Sequence, residues 1–295
     1  MFGFINVNKP IHQTSRWAVN AVQKCVKPSR IGHAGTLDPL ATGVLVLCIG
    51  PATRLTKYVQ AMPKTYVADF RLGVESDSED ILGVIQPVVD AAEVTADDIV
   101  AALPSFVGEI MQMPPKFSAL MVNGKRAYDL ARAGKEVKLA PRPVQIFELE
   151  LLSFSYPDFR VLIRCGSGTY VRSLGRDLGR QVGSGAIMTG LERTAIGNFK
   201  VENGISLEGL DRETIEHSLV KPQDAISELP IVRVPDTQLE KFVDGHAWQI
   251  EPAPEFEEAM AIDESLRLLT ILKQRARGHF TPVLNFSKYW VEPDA

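Results

Sequence analysis

The order of strands and helices constrains the fold of this chain more than any other feature of its sequence. Apolar runs and period-2 alternation predict strands at 3–10, 44–50 and 65–74, and two more that meet at a turn over 156–158. Helical patterns fall between them at irregular intervals, without an internal repeat. Because a doubly wound parallel sheet needs strands and helices in regular alternation, the sequence predicts an α+β or mixed α/β fold instead.

Local patterns predict which side chains are buried. The segment TSRWAVNAVQKCVKP, at 14–28, predicts an amphipathic helix that is capped by Thr14 or Ser15 and ended by Pro28. The acidic run ESDSED, at 75–80, is predicted to be a solvated loop. For the helix predicted within 14–28, the apolar side is expected to consist of Trp17, Ala21, Val22 and Cys25.

The charge of the chain is distributed unevenly. The net charge of −4 counts against a nucleic-acid partner, yet residues 1–71 hold nine Lys and Arg against two Asp and Glu. Residues 111–142 hold seven against two, and residues 164–200 hold six against two. Acidic stretches separate these basic segments. If the three segments meet on one face they form a phosphate-binding surface, but charge by itself leaves this open.

Composition excludes several classes of protein. The sequence has no run of about 20 apolar residues, the length that spans a bilayer, and no secretory signal is predicted. The three cysteines are odd in number and widely spaced, which predicts a cytoplasmic protein without disulfides. The five histidines lack metal-binding spacing, so no zinc or other metal site is expected.

Asp38 lies in a loop of small residues, within GHAGTLDPLATGVLVLCIGPATR at 32–54. The glycines allow close backbone approach, and Pro39 restricts Asp38 to extended conformations. Such a carboxylate can act as a nucleophile, a general base, a metal ligand or a helix N-cap. The loop lacks the Gly-Lys of a Walker-type phosphate loop, and no second carboxylate follows Asp38 two residues on. Spacing by itself favours an ordinary turn or cap aspartate.

A second basic motif, CGSGTYVRSLGRDLGR at 165–180, is predicted to be helical from about residue 169. Arg172, Arg176 and Arg180 recur every four residues and therefore share one helix face, whereas Asp177 lies off that face. The ordinary interpretation is a solvated basic stripe. The alternative is that Arg172 reaches an active-site carboxylate and keeps it ionised.

Five motifs fall in a fixed order along the first 200 residues. They are NKP at 8–10, the Asp38 loop at 32–54, KTYVADFRLG at 64–73, QMPPKFSALMVNGKRAYDLARAG at 112–134 and CGSGTYVRSLGRDLG at 165–179. In sequence and spacing, this set resembles the bacterial tRNA pseudouridine-55 synthases of the TruB family.

The resemblance implies a pseudouridine synthase fold, with a central mixed, largely antiparallel sheet flanked by helices. The catalytic domain would cover residues 1–224, with an RNA-gripping insertion at about 111–142. Residues 225–295 would form a small β-rich RNA-binding domain related to PUA, although FVDGHAWQI and GHFTPVLNF match that pattern only loosely.

The resemblance also implies the reaction. Uridine 55 in the TΨC stem-loop of tRNA would be flipped out and isomerised to pseudouridine by a monomer that needs no cofactor, metal or obligatory protein partner. Two alternatives are an RNA-folding chaperone with secondary or lost catalysis and a hydrolase with Asp38 as nucleophile. The intact catalytic set counts against lost catalysis, and the lack of a partner acid counts against a hydrolase.

Residue roles follow from the resemblance by position. Asp38 would be the nucleophile and Arg172 its ion-pair partner, and Asp38 would attack either C1′ of the ribose or C6 of the base. Tyr66 would stack on the base and remove the C5 proton, which requires help because a free tyrosine has a pKa near 10. His33 would insert near the flipped nucleotide. The other expected RNA contacts or supports are Lys9, Tyr170, Leu191, Lys125, Arg126 and Arg132.

Overall fold

The computed structural model describes residues 1–118, 120–122, 124–135, 137–235, 246–250 and 255–290. The α-helices in this part of the chain are α1 (Ser15–Val26), α2 (Thr56–Ala61), α3 (Ala96–Ala102), α4 (Ala127–Arg132), α5 (Val171–Gln181), α6 (Arg212–His217) and α7 (Pro222–Ala225). The strands are β1 (Gly3–Lys9), β2 (Ile31–His33), β3 (Ala41–Ile49), β4 (Lys64–Leu72), β5 (Val74–Ser76), β6 (Ile85–Pro87), β7 (Gly108–Gln112), β8 (Met121–Val122), β9 (Lys125–Arg126), β10 (Arg142–Ser155), β11 (Asp158–Cys165), β12 (Ala186–Ile196), β13 (Phe199–Lys200), β14 (Ile231–Arg233), β15 (Trp248–Gln249), β16 (Glu258–Ile262), β17 (Leu268–Ala276) and β18 (His279–Asn285).

A nine-stranded sheet organises the first 200 residues. Its main strand order is β1-β3-β12-β4-β11-β10-β7, with β2 paired to β3 and β13 paired to β12. The β12–β3 pair is parallel and the other pairs are antiparallel. The predicted mixed, largely antiparallel sheet is therefore confirmed. The parallel pair places the strand that follows the Asp38 loop beside β12 at the centre of the sheet.

The apolar run at 44–49 is continuous because both faces of β3 are buried. Val44, Val46 and Cys48 point into one hydrophobic cluster, and the alternate residues Leu45, Leu47 and Ile49 point into another. A strand covered on both faces has no solvent side on which polar residues would be favoured. This burial holds the Asp38 loop against the most rigid part of the sheet.

Helix α1 covers one of these faces with a side that includes the predicted Val22, and Ala21 and Cys25 pack partly against the same cluster. Thr14 is its N-cap and accepts a hydrogen bond from the backbone N of Trp17, as one of the two expected caps. The prediction that Trp17 lies on the buried side is wrong, since its side chain is 39% exposed. The buried residues of the helix are Ser15, Ala18, Val19, Val22 and Val26.

Helix α5 packs on the same sheet with very close backbone approach. A Cβ placed on Gly175 would collide with the ring of Phe70 on β4, so only glycine allows this contact. Val171, Leu174 and Leu178 of the helix fill the cluster that contains Phe70. The close contact fixes the height of the first turn of α5, which carries Arg172, above β4.

The C-terminal part of the described chain is β-rich, as expected. Its five-stranded sheet has the order β14-β16-β17-β18-β15. Met260, Ile271 and Phe286 join the hydrophobic cluster beneath β1 and β3, and the ring of Phe2 contacts that of Phe286 in a tilted arrangement with 5.1 Å between centroids. The two sheets therefore share a core. The predicted domain boundary after residue 224 and the PUA relationship stay predictions.

Candidate active site

A cavity of about 450 Å³ opens where the Asp38 loop, β4, β12 and the start of α5 meet. Asp38, Tyr66 and Arg172 all line it, so the structure brings the three predicted catalytic residues together. Leu191 and Tyr170 line the same cavity. Its volume falls in the usual range for small-molecule sites.

The loop that carries Asp38 is fixed on both sides of the carboxylate. Ser15 Oγ accepts a hydrogen bond from the backbone N of Leu37 at 2.9 Å and donates one to the Leu37 carbonyl at 3.1 Å. Leu37 and Leu40 are both buried. The backbone of Asp38 does form a turn, with Ala41 N donating to Asp38 O at 3.0 Å. The side chain is left free to face the cavity.

The carboxylate of Asp38 forms the predicted ion pair with Arg172. The distance from Arg172 Nε to Asp38 Oδ2 is 3.0 Å, and the guanidinium is buried while Asp38 remains partly exposed. The two terminal nitrogens of Arg172 donate to the carbonyls of Ser78, at 2.9 Å, and Phe117, at 3.1 Å. Asp80 lies 3.8 Å from Arg172 Nε. A planar guanidinium with this many partners holds one orientation.

The acidic run at 75–80 is not the solvated loop that its composition predicts. Asp80 is 5% exposed and supports Arg172. Glu79 accepts hydrogen bonds from Ser173 Oγ, at 2.6 Å, and from Arg176. The interpretation of Arg172 and Arg176 as a solvated stripe is wrong for the same reason, because these acids neutralise them beneath the surface.

Tyr66 occupies a buried position on β4 at the cavity. Burial raises the pKa of Tyr66 above its ordinary value, and the neighbouring guanidinium of Arg193 acts in the opposite direction. At neutral pH the side chain is therefore a phenol. Any role as a proton acceptor depends on the groups that surround it.

Arg193 is a cavity residue that the sequence prediction missed. It is 2% exposed, and its Nε and Nη2 donate to the carbonyls of Val44, at 2.8 Å, and Gly35, at 3.2 Å. The segment LERTAIG offers no pattern that separates a buried arginine from an exposed one on a strand. The only sequence signal near Arg193 is the basic motif at 165–180, which precedes it in the chain.

Two buried lysines flank the cavity. Lys64 lines it and donates to the Met62 carbonyl at 2.6 Å, and burial lowers its pKa to about 8. Lys9 donates to the carbonyls of Pro10, at 2.8 Å, and Gln13, at 2.7 Å. Burial lowers the pKa of Lys9 to about 8, against the opposing effect of Asp38. Lys9 thus ties the chain together behind the Asp38 loop, which favours the expected supporting role.

Three comparisons with known proteins bear on this arrangement. Residues 23–171 match the N-terminal domain of the TruB family of pseudouridylate synthases. A tRNA pseudouridine synthase B from Synechocystis is 42% identical over 82% of this chain and 83% of its own length. One from Dehalococcoides mccartyi strain BAV1 is 37% identical over the whole of both chains. The chain belongs to the TruB family. It is therefore a pseudouridine synthase.

The same fold is also found in a chain of a ribonucleoprotein. A chain from an H/ACA ribonucleoprotein bound to a substrate RNA containing 2′-deoxyuridine superposes with a TM-score of 0.73. The match covers 98% of this chain and 86% of that one, at 23% identity. The pseudouridine synthase fold that the resemblance implied is thus confirmed, including the C-terminal sheet within the described residues.

Residues of the segment predicted to be an RNA-gripping insertion, at about 111–142, contribute to the cavity wall. Phe117, Ser118 and Tyr128 line it, and the guanidinium of Arg132 lies 4.8 Å from the centre of the Tyr128 ring. Lys125 and Arg126 form β9, but their side chains lie outside what the structure describes. This segment therefore forms part of the wall of the cavity.

His33 lies on β2, and Tyr170 lines the cavity. Among the described residues, His33 Nδ1 has no hydrogen-bond partner. Burial lowers the pKa of His33, with Arg16 and Arg193 acting in the same direction. The guanidinium of Arg142 lies over the ring of Tyr170, 5.0 Å from its centroid. The expected contacts of both rings with RNA stay predictions.

Two absences complete the description. Within the described residues, no helix is long and apolar enough to cross a membrane. Over the same part of the chain, no three His, Cys, Asp or Glu side chains lie together as a metal-binding group.

Proposed function

We propose that this enzyme isomerises uridine 55 in the TΨC loop of tRNA to pseudouridine, with Asp38 as the nucleophile. The observation that carries the proposal is the Asp38–Arg172 ion pair in the cavity of a TruB-family chain. The names of the relatives, tRNA pseudouridine synthase B, support a tRNA substrate. The proposal includes action in the cytoplasm as a monomer without an obligatory protein partner.

The reaction makes limited demands on the protein. The bond from N1 to C1′ breaks, the base rotates, and C5 joins the same sugar carbon, so no electrons are gained or lost overall. One ionised nucleophile suffices if it is held at the reacting carbon. Arg172 stabilises the anionic form of Asp38, and the bonds of Ser15 to Leu37 hold its loop. Attack at C1′ and attack at C6 are both compatible with this geometry.

The uridine must leave its stacked position to reach the carboxylate. Leu191 offers an apolar wall for the uracil ring and Tyr66 an aromatic one, since both line the cavity. His33 would take the space that the nucleotide leaves. Lys125, Arg126 and Arg132 on the insertion would hold phosphates, which fixes the RNA without reading its sequence.

The function is tested with tRNA that is tritiated at C5 of its uridines. We expect release of tritium to solvent, with one pseudouridine formed per tRNA, at position 55. A TΨC stem-loop with cytidine at the target position is the matched control and should release nothing. No release from the natural stem-loop would contradict the proposal, and release from another position would contradict the assigned site.

Binding should weaken steeply as salt rises. The acidic stretches are separate in sequence from the three basic segments, and Arg172 and Arg193 from the last segment line the cavity with Lys64 from the first. Each phosphate contact contributes a slope of about −1 to the plot of log affinity against log salt. Fluorescence anisotropy of a labelled stem-loop at several salt concentrations measures this slope. An affinity independent of salt would contradict an electrostatic docking surface.

A further inference from the structure

Arg193 lies on β12, between β4, which carries Tyr66, and β3, which follows the Asp38 loop. On one side its Cα pairs with that of Tyr66 across the antiparallel β12–β4 ladder, so the two side chains share a face of the sheet. On the other side it pairs with Gly43 across the parallel β12–β3 ladder. Gly43 has a φ of +95°, and a Cβ there would collide with the Arg193 carbonyl. The backbone is thus shaped to bring this arginine close to the Asp38 loop.

The guanidinium of Arg193 is buried without a carboxylate. Among the described residues, no Asp or Glu oxygen lies within 4.0 Å of it. Its partners are the carbonyls of Val44, Gly35 and Thr36, the last at a weak 3.5 Å. Burying a charge is costly unless an opposite charge compensates it. An arginine in this position therefore favours the formation of an anion in the cavity.

Tyr66 is the group best placed to become that anion. It pairs with Arg193 across the β12–β4 ladder, and both side chains line the cavity. Asp38 is already paired with Arg172 at 3.0 Å. The ladder has a register shift immediately after Arg193, between that residue and Ala195, and such a shift is a common way to re-aim a side chain next to a site.

We propose that Arg193 is a positioning residue that stabilises the phenolate form of Tyr66, and so enables Tyr66 to remove the C5 proton of the isomerised base. This inference rests on the proposed function. Arg193 is not needed merely to hold the Asp38 loop in place. Ser15 and the buried Leu37 and Leu40 already fix that loop.

The proton transfer balances as follows. After C5 has joined C1′, C5 carries both the sugar and a hydrogen, and N1 is doubly bonded to C6. The Tyr66 phenolate takes the C5 proton, and the C–H electron pair becomes the C5–C6 double bond. The former C6–N1 π pair moves to N1, which takes a proton from water. Tyr66 returns its proton to solvent, and no oxidant or other reactant is consumed.

The electrostatic surroundings of Tyr66 agree with this role. Burial raises the pKa of Tyr66, and Cys165 and Asp38 act in the same direction, whereas Arg193 lowers it by charge and by hydrogen bonding. Lys64, which also lines the cavity, has a lowered pKa of its own and is coupled to Arg193 and Cys165. Arg193 is the cation whose charge lowers the pKa of Tyr66.

The test is the pH dependence of single-turnover isomerisation of a TΨC stem-loop. In the wild type, the rate should rise with pH along a limb that Tyr66→Phe removes. Arg193→Gln should lower the rate by about 10²-fold. It should also move the limb to higher pH by about 1 unit or more, the effect of removing a close opposite charge. Arg193→Lys keeps the positive charge but loses the planar set of guanidinium donors. Its rate and its pH limb should lie between those of the wild type and Arg193→Gln.

A second measurement isolates the proton transfer. With uridine deuterated at C5, the isotope effect on the rate should be larger in Arg193→Gln than in the wild type, because C5 proton removal becomes slower than the earlier steps. Ser15→Ala is the matched control, since it loosens the Asp38 loop without touching Tyr66. It should lower the rate but leave the pH limb and the isotope effect at their wild-type values.

The outcomes separate the inference from the proposed function. No isomerisation by the wild type would contradict the function itself. An active wild type whose profile lacks a limb dependent on Tyr66 would overturn the inference, even if Arg193→Gln does not fold. The same holds if the folded Arg193 variants lose rate in the manner of Ser15→Ala, with an unshifted limb and an unchanged isotope effect, because Arg193 would then only support the loop.

Discussion

Asp38→Asn should lose isomerisation by about 10⁴-fold or more, because the amide removes the nucleophile and leaves every other cavity residue in place. The folded state should barely change. Asp38 is partly exposed, and Arg172 keeps its bonds to the carbonyls of Ser78 and Phe117 and its charge contact with Asp80. The free energy of unfolding should therefore differ by less than about 1 kcal/mol.

Tritium release from C5-labelled tRNA measures the loss, and stem-loop affinity and thermal unfolding measured on the same preparation provide the controls. We expect the affinity for the stem-loop to be retained, since phosphate contacts and base flipping do not use the carboxylate. Persistent release from Asp38→Asn would refute the assigned nucleophile. Loss of both binding and folding would mean that Asp38 is a structural turn residue after all.

Arg172→Met should reduce both activity and stability, which distinguishes it from Asp38→Asn. The activity should fall by about 10²-fold to 10³-fold, because Asp38 loses the cation that orients it and stabilises its charge. The stability should fall by about 3 kcal/mol, because Asp80 is left buried without its charged partner. The carbonyls of Ser78 and Phe117 lose their donors as well.

The same helix supplies a matched control for Arg172. Arg180 lies two turns later on α5 and is exposed, with an ion pair to Glu75 at 3.1 Å. Arg180→Met removes the same side chain from a solvated position and should change stability by less than about 1 kcal/mol. Denaturant unfolding and single-turnover kinetics of both variants make the comparison. Equal effects of the two substitutions would contradict the special position of Arg172.

Arg172 and Arg176 also connect the Asp38 carboxylate to the segment predicted to be an insertion. Arg172 donates to the Phe117 carbonyl, and Arg176 donates to the Met113 carbonyl at 2.9 Å. Both carbonyls lie at the base of the segment that lines one side of the cavity. The network that orients Asp38 therefore also anchors the wall that is proposed to face the RNA.

Periodicity and motif order were enough to predict the class of fold. The alternation on β4 and the continuous run on β3 follow directly from burial on one or two faces, and both were visible in the sequence. The Asp38–Arg172 contact was predicted only through the resemblance of five ordered motifs. Local spacing favoured a turn aspartate and a solvated arginine stripe, since a loop and a helix 134 residues apart carry no sign of their contact.

The sequence by itself determined the family, the order of the elements and the identities of three cavity residues, Asp38, Tyr66 and Arg172. Only the tertiary structure decided how their charges are compensated. Composition predicted a solvated run at 75–80, yet its buried acids support Arg172 and Arg176, because packing α5 against Phe70 carries these arginines below the surface. Arg193 became a candidate positioning residue only in the tertiary structure. Burial and cross-strand neighbours set the energy of its charge, and both depend on strands that are far apart in the chain.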